Sequence, residues 1–289
     1  MSRGQSQRSQ DLIQASHTIL SEIQPATVRA VCYRLFVAKL IDSMAKTETN
    51  KISRLLTLAR ENDEIPWRWI VDETRSAERI SAWDDPTQFA RSVVTSYRRD
   101  YWSQQSIAIE VWSEKGTVRG TLAPILEAYG LTFRVMHGYS SATAIRQIAD
   151  ETAQEPLLAF YAGDWDPSGL HMSEIDLPQR LREYGALVAL VRVALDAEDV
   201  ANSGLPHFAA EEKRSDPRYT WFVRRFGERC VELDALSPNV LRDRIERKIR
   251  SEINFEAWER CKIAEKAEHQ SLIEVMESWG LSIGRGGSP

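Results

Sequence analysis

Leu157-Leu158-Ala159-Phe160-Tyr161-Ala162-Gly163-Asp164-Trp165-Asp166-Pro167-Ser168-Gly169 is the stretch on which the fold turns. Its apolar run does not alternate, which predicts a strand covered on both faces, as in a parallel sheet. Pro167, Ser168 and Gly169 predict that the strand gives way to a loop. Ligands of open α/β sheets bind beyond the carboxyl ends of the strands, where Asp164 and Asp166 stand. In an extended segment, residues i and i+2 point the same way. Two carboxylates so placed repel each other unless a hard cation lies between them, and donors that are all oxygen suit Mg²⁺. A bare Asp-x-Asp is more often an acidic turn that caps the next helix. A second stretch shifts that balance.

Ser106-Ile107-Ala108-Ile109-Glu110-Val111-Trp112-Ser113-Glu114-Lys115-Gly116 is also strand-like and ends on a carboxylate, Glu114. Thr117 to Tyr129 follows with helical character, closed by Gly130 as a C-cap, and Leu131 to Met136 returns to a strand. The order strand-Glu-helix-strand, then strand-Asp-x-Asp, resembles the Toprim domain shared by topoisomerases, primases and some nucleases. The resemblance implies Glu114, Asp164 and Asp166 gathered around Mg²⁺.

Ahead of these motifs, apolar spacing predicts a helix from Asp11 to Ile23, interrupted at Pro25. Thr27 offers an N-cap for a second helix, Val28 to Leu40. A third, about Glu48 to Arg60, sets Ile52, Leu55, Leu56 and Leu58 on its apolar side and Lys51, Arg54 and Arg60 toward solvent. Glu64 to Asp72 alternates like a short strand or wing. This pattern fits a winged-helix DNA-binding module, and it equally fits a small bundle with a solvated charged face. Arg29 and Tyr33 are four residues apart and share a helix face. A phenol beside a guanidinium can attack a phosphodiester while the cation stabilises the charge that develops. Taken singly, Tyr33 reads as a half-buried core aromatic.

An Arg-x-x-x-Tyr helix, then Glu114-Lys115, then Gly163-Asp164-Trp165-Asp166-Pro167-Ser168-Gly169, resembles the A subunit of topoisomerase VI and the related meiotic double-strand-break proteins. The likeness runs from about Thr27 to Leu236. The compact length is most similar to the stand-alone Mini-A proteins of bacterial mobile elements. Cys32 departs from the pattern, since the family commonly carries a second aromatic before its tyrosine. The resemblance implies Tyr33 as nucleophile, Arg29 assisting, and double-stranded DNA held by Arg34, Lys51, Arg54 and Arg60. It also implies a 5′-phosphotyrosyl intermediate formed by a homodimer, in which the tyrosine of one subunit works with the metal of the other. The short N-terminus leaves little room to dock an ATPase, and no Walker motif is present, so ATP would act through a separate ATPase partner.

The 289 residues, 43% hydrophobic and 27% charged, suit a globular protein of two domains, and no apolar run approaches a membrane span. Met1 to Gln10 lacks the apolar core of a secretory signal and reads, like Gly284 to Pro289, as a flexible terminus. Cys32, Cys230 and Cys261 are odd in number and widely spaced, which points to reduced thiols in a cytoplasm and no zinc, and the resemblance implies that the cytoplasm is prokaryotic. The net charge is −5, yet Gln24 to Arg60 carries seven basic residues against Asp42 and Glu48. The positive field is therefore concentrated near the N-terminus.

Later segments continue the alternation. Asp84 to Asp100 predicts a linker helix, either a spacer or a DNA-backbone contact. Ser140 or Ser141 caps a helix from Ala142 to Asp150. Leu177 to Tyr184 reads as a helix, Ala186 to Val193 as a strand, and Glu211 to Asp216 as a charged loop. Glu232 and Asp234 form another i, i+2 acid pair. They could supply a second metal position, or Asp234 could cap the helix that starts near Pro238. Asn239 to Trp279 reads as a long charged helix broken near Asn254, packed on a domain edge or paired with another chain.

The expected fold class is α/β. A flexible leader and first helix (1–24) precede a winged-helix DNA-binding domain (25–80) and a linker (81–104). A Toprim, Rossmann-like domain (105–236) and a helical C-terminal extension (237–289) follow. The expected activity is that of a Mg²⁺-dependent, type IIB topoisomerase-like DNA-cleaving enzyme. Its rivals are a Toprim nuclease using water and a non-catalytic winged-helix DNA-binding protein.

Overall fold

The computed structural model describes residues 6–71, 80–136, 141–202 and 204–278. The expected leader before residue 6, Asp72 of the wing, Ser140 as a cap, Trp279 and the C-terminal tail lie outside the described residues. The chain is mixed α/β and divides into two units, residues 1–73 with 109–251, and residues 74–108 with 252–289.

The first unit begins with α1 (Gln7–Ile23), β1 (Ala26–Thr27), α2 (Val28–Val37), α3 (Lys46–Glu61) and β2 (Ile70–Val71). Leu12, Leu20 and Ile23 of α1 share one core with Val31, Leu35, Ile52 and Leu56. The expected boundary at residue 24 therefore does not divide the core, because α1 supplies one of its three walls. Thr27 caps α2 as expected, accepting from Ala30 N at 2.9 Å. The expected wing is a single tight turn, Trp67–Trp69, leading into β2, which pairs parallel with β1. Gly120 lets this part approach its neighbour, since a Cβ there would stand 2.2 Å from Val71.

The second unit contributes α4 (Pro86–Ser96) and the first unit resumes at β3 (Ala108–Ser113), α5 (Thr117–Tyr129), β4 (Thr132–Val135) and α6 (Ala142–Glu151). Next come β5 (Leu157–Ala162), α7 (Pro167–His171), α8 (Leu177–Glu183) and β6 (Val188–Ala194). The four strands β3 to β6 form one parallel sheet in the order β4-β3-β5-β6. Every residue of β5 is buried, the consequence of its unbroken apolar run. The order reverses between β3 and β5, so the crevice beyond their carboxyl ends is the expected ligand position of such a sheet. Gly130 closes α5 with φ of 61°, as its C-cap position requires.

The rest of the first unit is α9 (Ala197–Asn202), β7 (Phe208–Ala209), α10 (Tyr219–Phe226), β8 (Arg229–Cys230) and α11 (Pro238–Glu252). Arg242 of α11 is buried and donates to Ile23 O and Thr121 O, both at 2.9 Å. It thereby satisfies the carboxyl end of α1 and ties it to α5.

In the second unit, α12 (Phe255–Ser278) starts after Asn254, the expected break, whose side chain accepts from Ala257 N. The expected linker helix packs on the C-terminal helix, with Ala90 and Val94 of α4 against Met276 of α12. Tyr97 donates to Glu268 at 2.6 Å, and Tyr101 stacks edge-on against Trp258. No helix among the described residues is long and apolar enough to cross a membrane.

Candidate active site

Glu114 follows the last residue of β3, and Asp164 and Asp166 follow the end of β5, so the strand order brings both motifs to one crevice. Trp165, between the aspartates, is buried and packs edge-on against Phe226. Its backbone pairs with Val231 in both directions, at 2.8 and 2.9 Å. That bridge draws Glu232 and Asp234 toward the aspartates, although they lie far along the chain.

Asp166 does two things at once. Its Oδ1 accepts from Gly169 N at 2.7 Å and caps α7, while its Oδ2 lies 3.4 Å from Lys213 Nζ. The segment after the aspartates is therefore a helix start and not the expected loop: Asp at the N-cap with Pro at the first helical position favours a helix. Gly169 is required there, because a Cβ would come within 2.6 Å of Asp164 O. Asp164 Oδ1 accepts from Lys115 Nζ at 2.9 Å and from Leu233 N at 2.8 Å. Glu114 has neither hydrogen-bond nor ion-pair partner among the described residues. Burial, then Asp164 and Asp166, raises its pKa above the ordinary carboxylate value.

Lys115 also reaches Asp234, at 3.4 Å. Burial opposes its charge, but Asp164 and Asp234 outweigh burial and hold it protonated. Asp234 is thus not the cap of α11 but an acceptor shared by Lys115 and by Thr27 Oγ1, the latter at 2.6 Å. Its place opposite two donors explains the correction. Arg192 of β6 was not singled out in the sequence, although a lone arginine inside an apolar strand is a signal. It donates to Gly163 O and Leu195 O, each at 2.7 Å, and to Asp164 O, fixing the loop that bears the aspartates.

The tyrosine half lies on α2. Tyr33 is 5% exposed, and the Arg29 guanidinium stands 5.9 Å from the centre of its ring, as their spacing predicts. Arg29 is held bidentately by Glu232, through Nε and, at 2.5 Å, through Nη2. Burial pushes the Tyr33 pKa up, Glu232 adds to the rise and Arg29 opposes it. A cleft of about 540 Å³ is lined by Tyr33, Arg29, Glu232, Phe208 and Lys213, among others. Lys213 thus links this cleft to Asp166.

The four cations expected to face DNA divide evenly. Lys51 and Arg54 are exposed on α3 and line a shallow groove. Arg34 is half-buried and donates to Ala235 O, and Arg60 is buried with its guanidinium 4.8 Å from the Trp67 ring centre. Arg60 therefore does not face solvent, because the indole offers a stacking surface.

The donor set is carboxylate oxygen alone, and the raised Glu114 marks a concentration of negative charge that a hard divalent cation relieves. Among the described residues, however, no three His, Cys, Asp or Glu side chains stand at metal-holding geometry. Lys115 and Lys213 supply the counter-charge to the aspartates instead. No known family model matches the chain, and no curated protein matches it.

Proposed function

We propose that the protein is a divalent-metal-dependent DNA transesterase of the kind represented by the topoisomerase VI A subunit and the meiotic double-strand-break proteins. The observation that carries this reading is the reversal of strand order between β3 and β5, which gathers Glu114, Asp164 and Asp166 in one crevice. Lys213 extends that crevice to the cleft of Tyr33 and Arg29. In this reading the Tyr33 oxygen attacks a backbone phosphorus, a phosphotyrosyl bond forms and the bond to the 3′ oxygen breaks. The phenol gives its proton to water, and the departing 3′ oxygen takes one up. Arg29 steadies the charge on the phosphoryl oxygens, with Glu232 fixing its orientation. Glu114, Asp164 and Asp166 would hold Mg²⁺, which supplies positive charge for the crowded phosphorus and the leaving oxygen. Lys51 and Arg54 guide the duplex backbone. The working unit is a homodimer, and any ATP dependence comes from a separate ATPase partner.

One observation favours a second reading, a Toprim-type nuclease in which water attacks: Tyr33 is nearly enclosed, and its pKa is raised. Supercoiled plasmid with protein and Mg²⁺, run with and without protease before electrophoresis, separates the two. Linear DNA that enters the gel only after protease is the expected result, and Tyr33→Phe should abolish it. Freely migrating linear DNA, unchanged in Tyr33→Phe, would hand the site to water, and intact plasmid would leave a DNA-binding protein.

A further inference from the structure

We propose that β6 is the interface between two copies of this chain, each strand pairing antiparallel with its counterpart about a two-fold axis at Ala189. That the chain works as a homodimer rests on the proposed function. The surface is argued from the strand alone, and its test needs no DNA.

The parallel sheet ends on β4 at one side and on β6 at the other. A free strand edge offers unpaired N–H and C=O groups, and proteins blunt such edges with short length, charge, proline or a bulge. β4 has four residues and carries Arg134, which pairs with Glu110 and Glu151. β6 has seven, and its stretch from Val188 to Val191 holds no charge, proline or glycine. Its register shift against β5 comes at Tyr161/Ala162, beyond that stretch. Leu157 N donates to Leu187 O at 2.9 Å. In a parallel ladder the backbone groups of Leu187, Ala189 and Val191 then face β5, and those of Val188 and Leu190 face the open edge. The latter have no partner among the described residues.

The side chains favour the same pairing. Leu187, Ala189 and Val191 share one face, with Leu187 49% and Val191 37% exposed, whereas β5 is buried throughout. Parallel sheets ordinarily bury both faces, so this row is an exposed apolar strip of the kind that marks a contact surface. Self-pairing centred on Ala189 covers it. Val188 exchanges hydrogen bonds with Leu190 of the second copy, and Leu187 stands opposite Val191 of the second copy at both ends of the row. In the middle Ala189 meets its own counterpart as a non-hydrogen-bonded pair, about 4.5 Å apart at Cα, a spacing that suits small side chains. Such apolar cross-strand pairs are what stabilise a sheet. Pairing β6 with β4 of another copy would instead run head to tail and set a charged arginine strand against the apolar row, whereas β6 on β6 closes as a dimer.

The test begins with light scattering of the full chain at micromolar concentration, where a dimer is expected. Val191→Glu sets a lone carboxylate against Leu187 twice in each dimer and should weaken association by about tenfold or more. Adding Leu187→Lys to the same chain places an ammonium opposite each new carboxylate and should restore the dimer, which a misfolded variant would not do. Ala189→Cys should give a disulfide-linked dimer under mild oxidation, because the paired Cα separation lies within the range of roughly 4.4 to 6.8 Å that a disulfide spans. Leu187→Cys, on the same face but at the end of the row, should not link. Cys32, Cys230 and Cys261 are buried and add no background. A dimer that persists in Val191→Glu and gives no link in Ala189→Cys would overturn the role of β6 and leave the homodimer standing. Wild-type protein that stays monomeric would overturn both.

Discussion

Glu114, Asp164 and Asp166 hang from the ends of two neighbouring strands, whereas Tyr33 and Arg29 ride on a helix clamped by Glu232, 203 positions beyond Arg29. The first arrangement is set by strand order and by short turns. The second depends on side chains that meet only after the chain has returned. The carboxylate half is therefore the rigid half, with its loop carbonyls gathered by Arg192 and its Trp165 buried. The tyrosine half meets the later chain through the side chains of Arg29–Glu232, Thr27–Asp234 and Arg34–Ala235, and is held to α5 by Arg242 and by the approach of Val71 to Gly120.

The largest effect should come from breaking the rigid half. Arg192→Met takes the donor from Asp164 O and Leu195 O in a half-buried position, while Gly163 O keeps Leu195 N, at a loss on the order of 3 kcal/mol. We expect a lower melting temperature and loss of Mg²⁺ binding by calorimetry. A variant that melts with the wild type and binds Mg²⁺ as well would show that the aspartate loop holds its shape without Arg192.

A smaller effect should follow in the tethered half. Glu232→Gln removes the charge that orients Arg29, and misplacement of an assisting group lowers cleavage by on the order of a hundredfold. Stability should change little, because Arg29 is 43% exposed and such a pair contributes about 1 kcal/mol or less. Plasmid cleavage and thermal melting on the same samples decide this. Cleavage at the wild-type rate would mean that Arg29 needs no clamp.

How much the sequence discloses follows the same division. The covered strand, both carboxylate motifs, the Thr27 cap, the Gly130 turn and the break at Asn254 are local patterns, and each is legible from neighbouring letters. Asp166 as a helix cap was also open to that reading, since the alternative to a metal ligand was an acidic cap. Lys115, Lys213, Arg192 and Arg242 were not legible in their roles. Each finds partners brought near by the sheet or by α11; Arg192 alone of the four gives a local sign, a lone arginine in an apolar strand. Arg60 misled by its charge: it stands one and two turns beyond Leu56 and Ile52, on the buried face of α3, and Trp67 lies against its guanidinium. The pairing of α4 with α12 was hidden because each helix alone shows only a sparse apolar stripe.

The last prediction tests whether the carboxylate half is built for charge at the expense of stability. Burial and the two aspartates raise the Glu114 pKa in the folded state above its value in the unfolded chain. Between those two values the folded protein binds more protons than the unfolded one, so stability grows as pH falls. The contribution is fully present below the unfolded value, about 4.3, and is lost as pH rises through the folded value. Above the folded value Glu114 is ionised where its surroundings disfavour it, and there Glu114→Gln should melt slightly higher than the wild type. That advantage should shrink as pH falls through the folded pKa and vanish below the unfolded one. Added Mg²⁺ should stabilise the wild type more than Glu114→Gln, since a ligand that binds only the folded state raises its melting temperature. A Glu114→Gln protein that melts lower above the folded value would show that Glu114 stabilises the fold there, and the reading of a carboxylate held ready for a cation would fall.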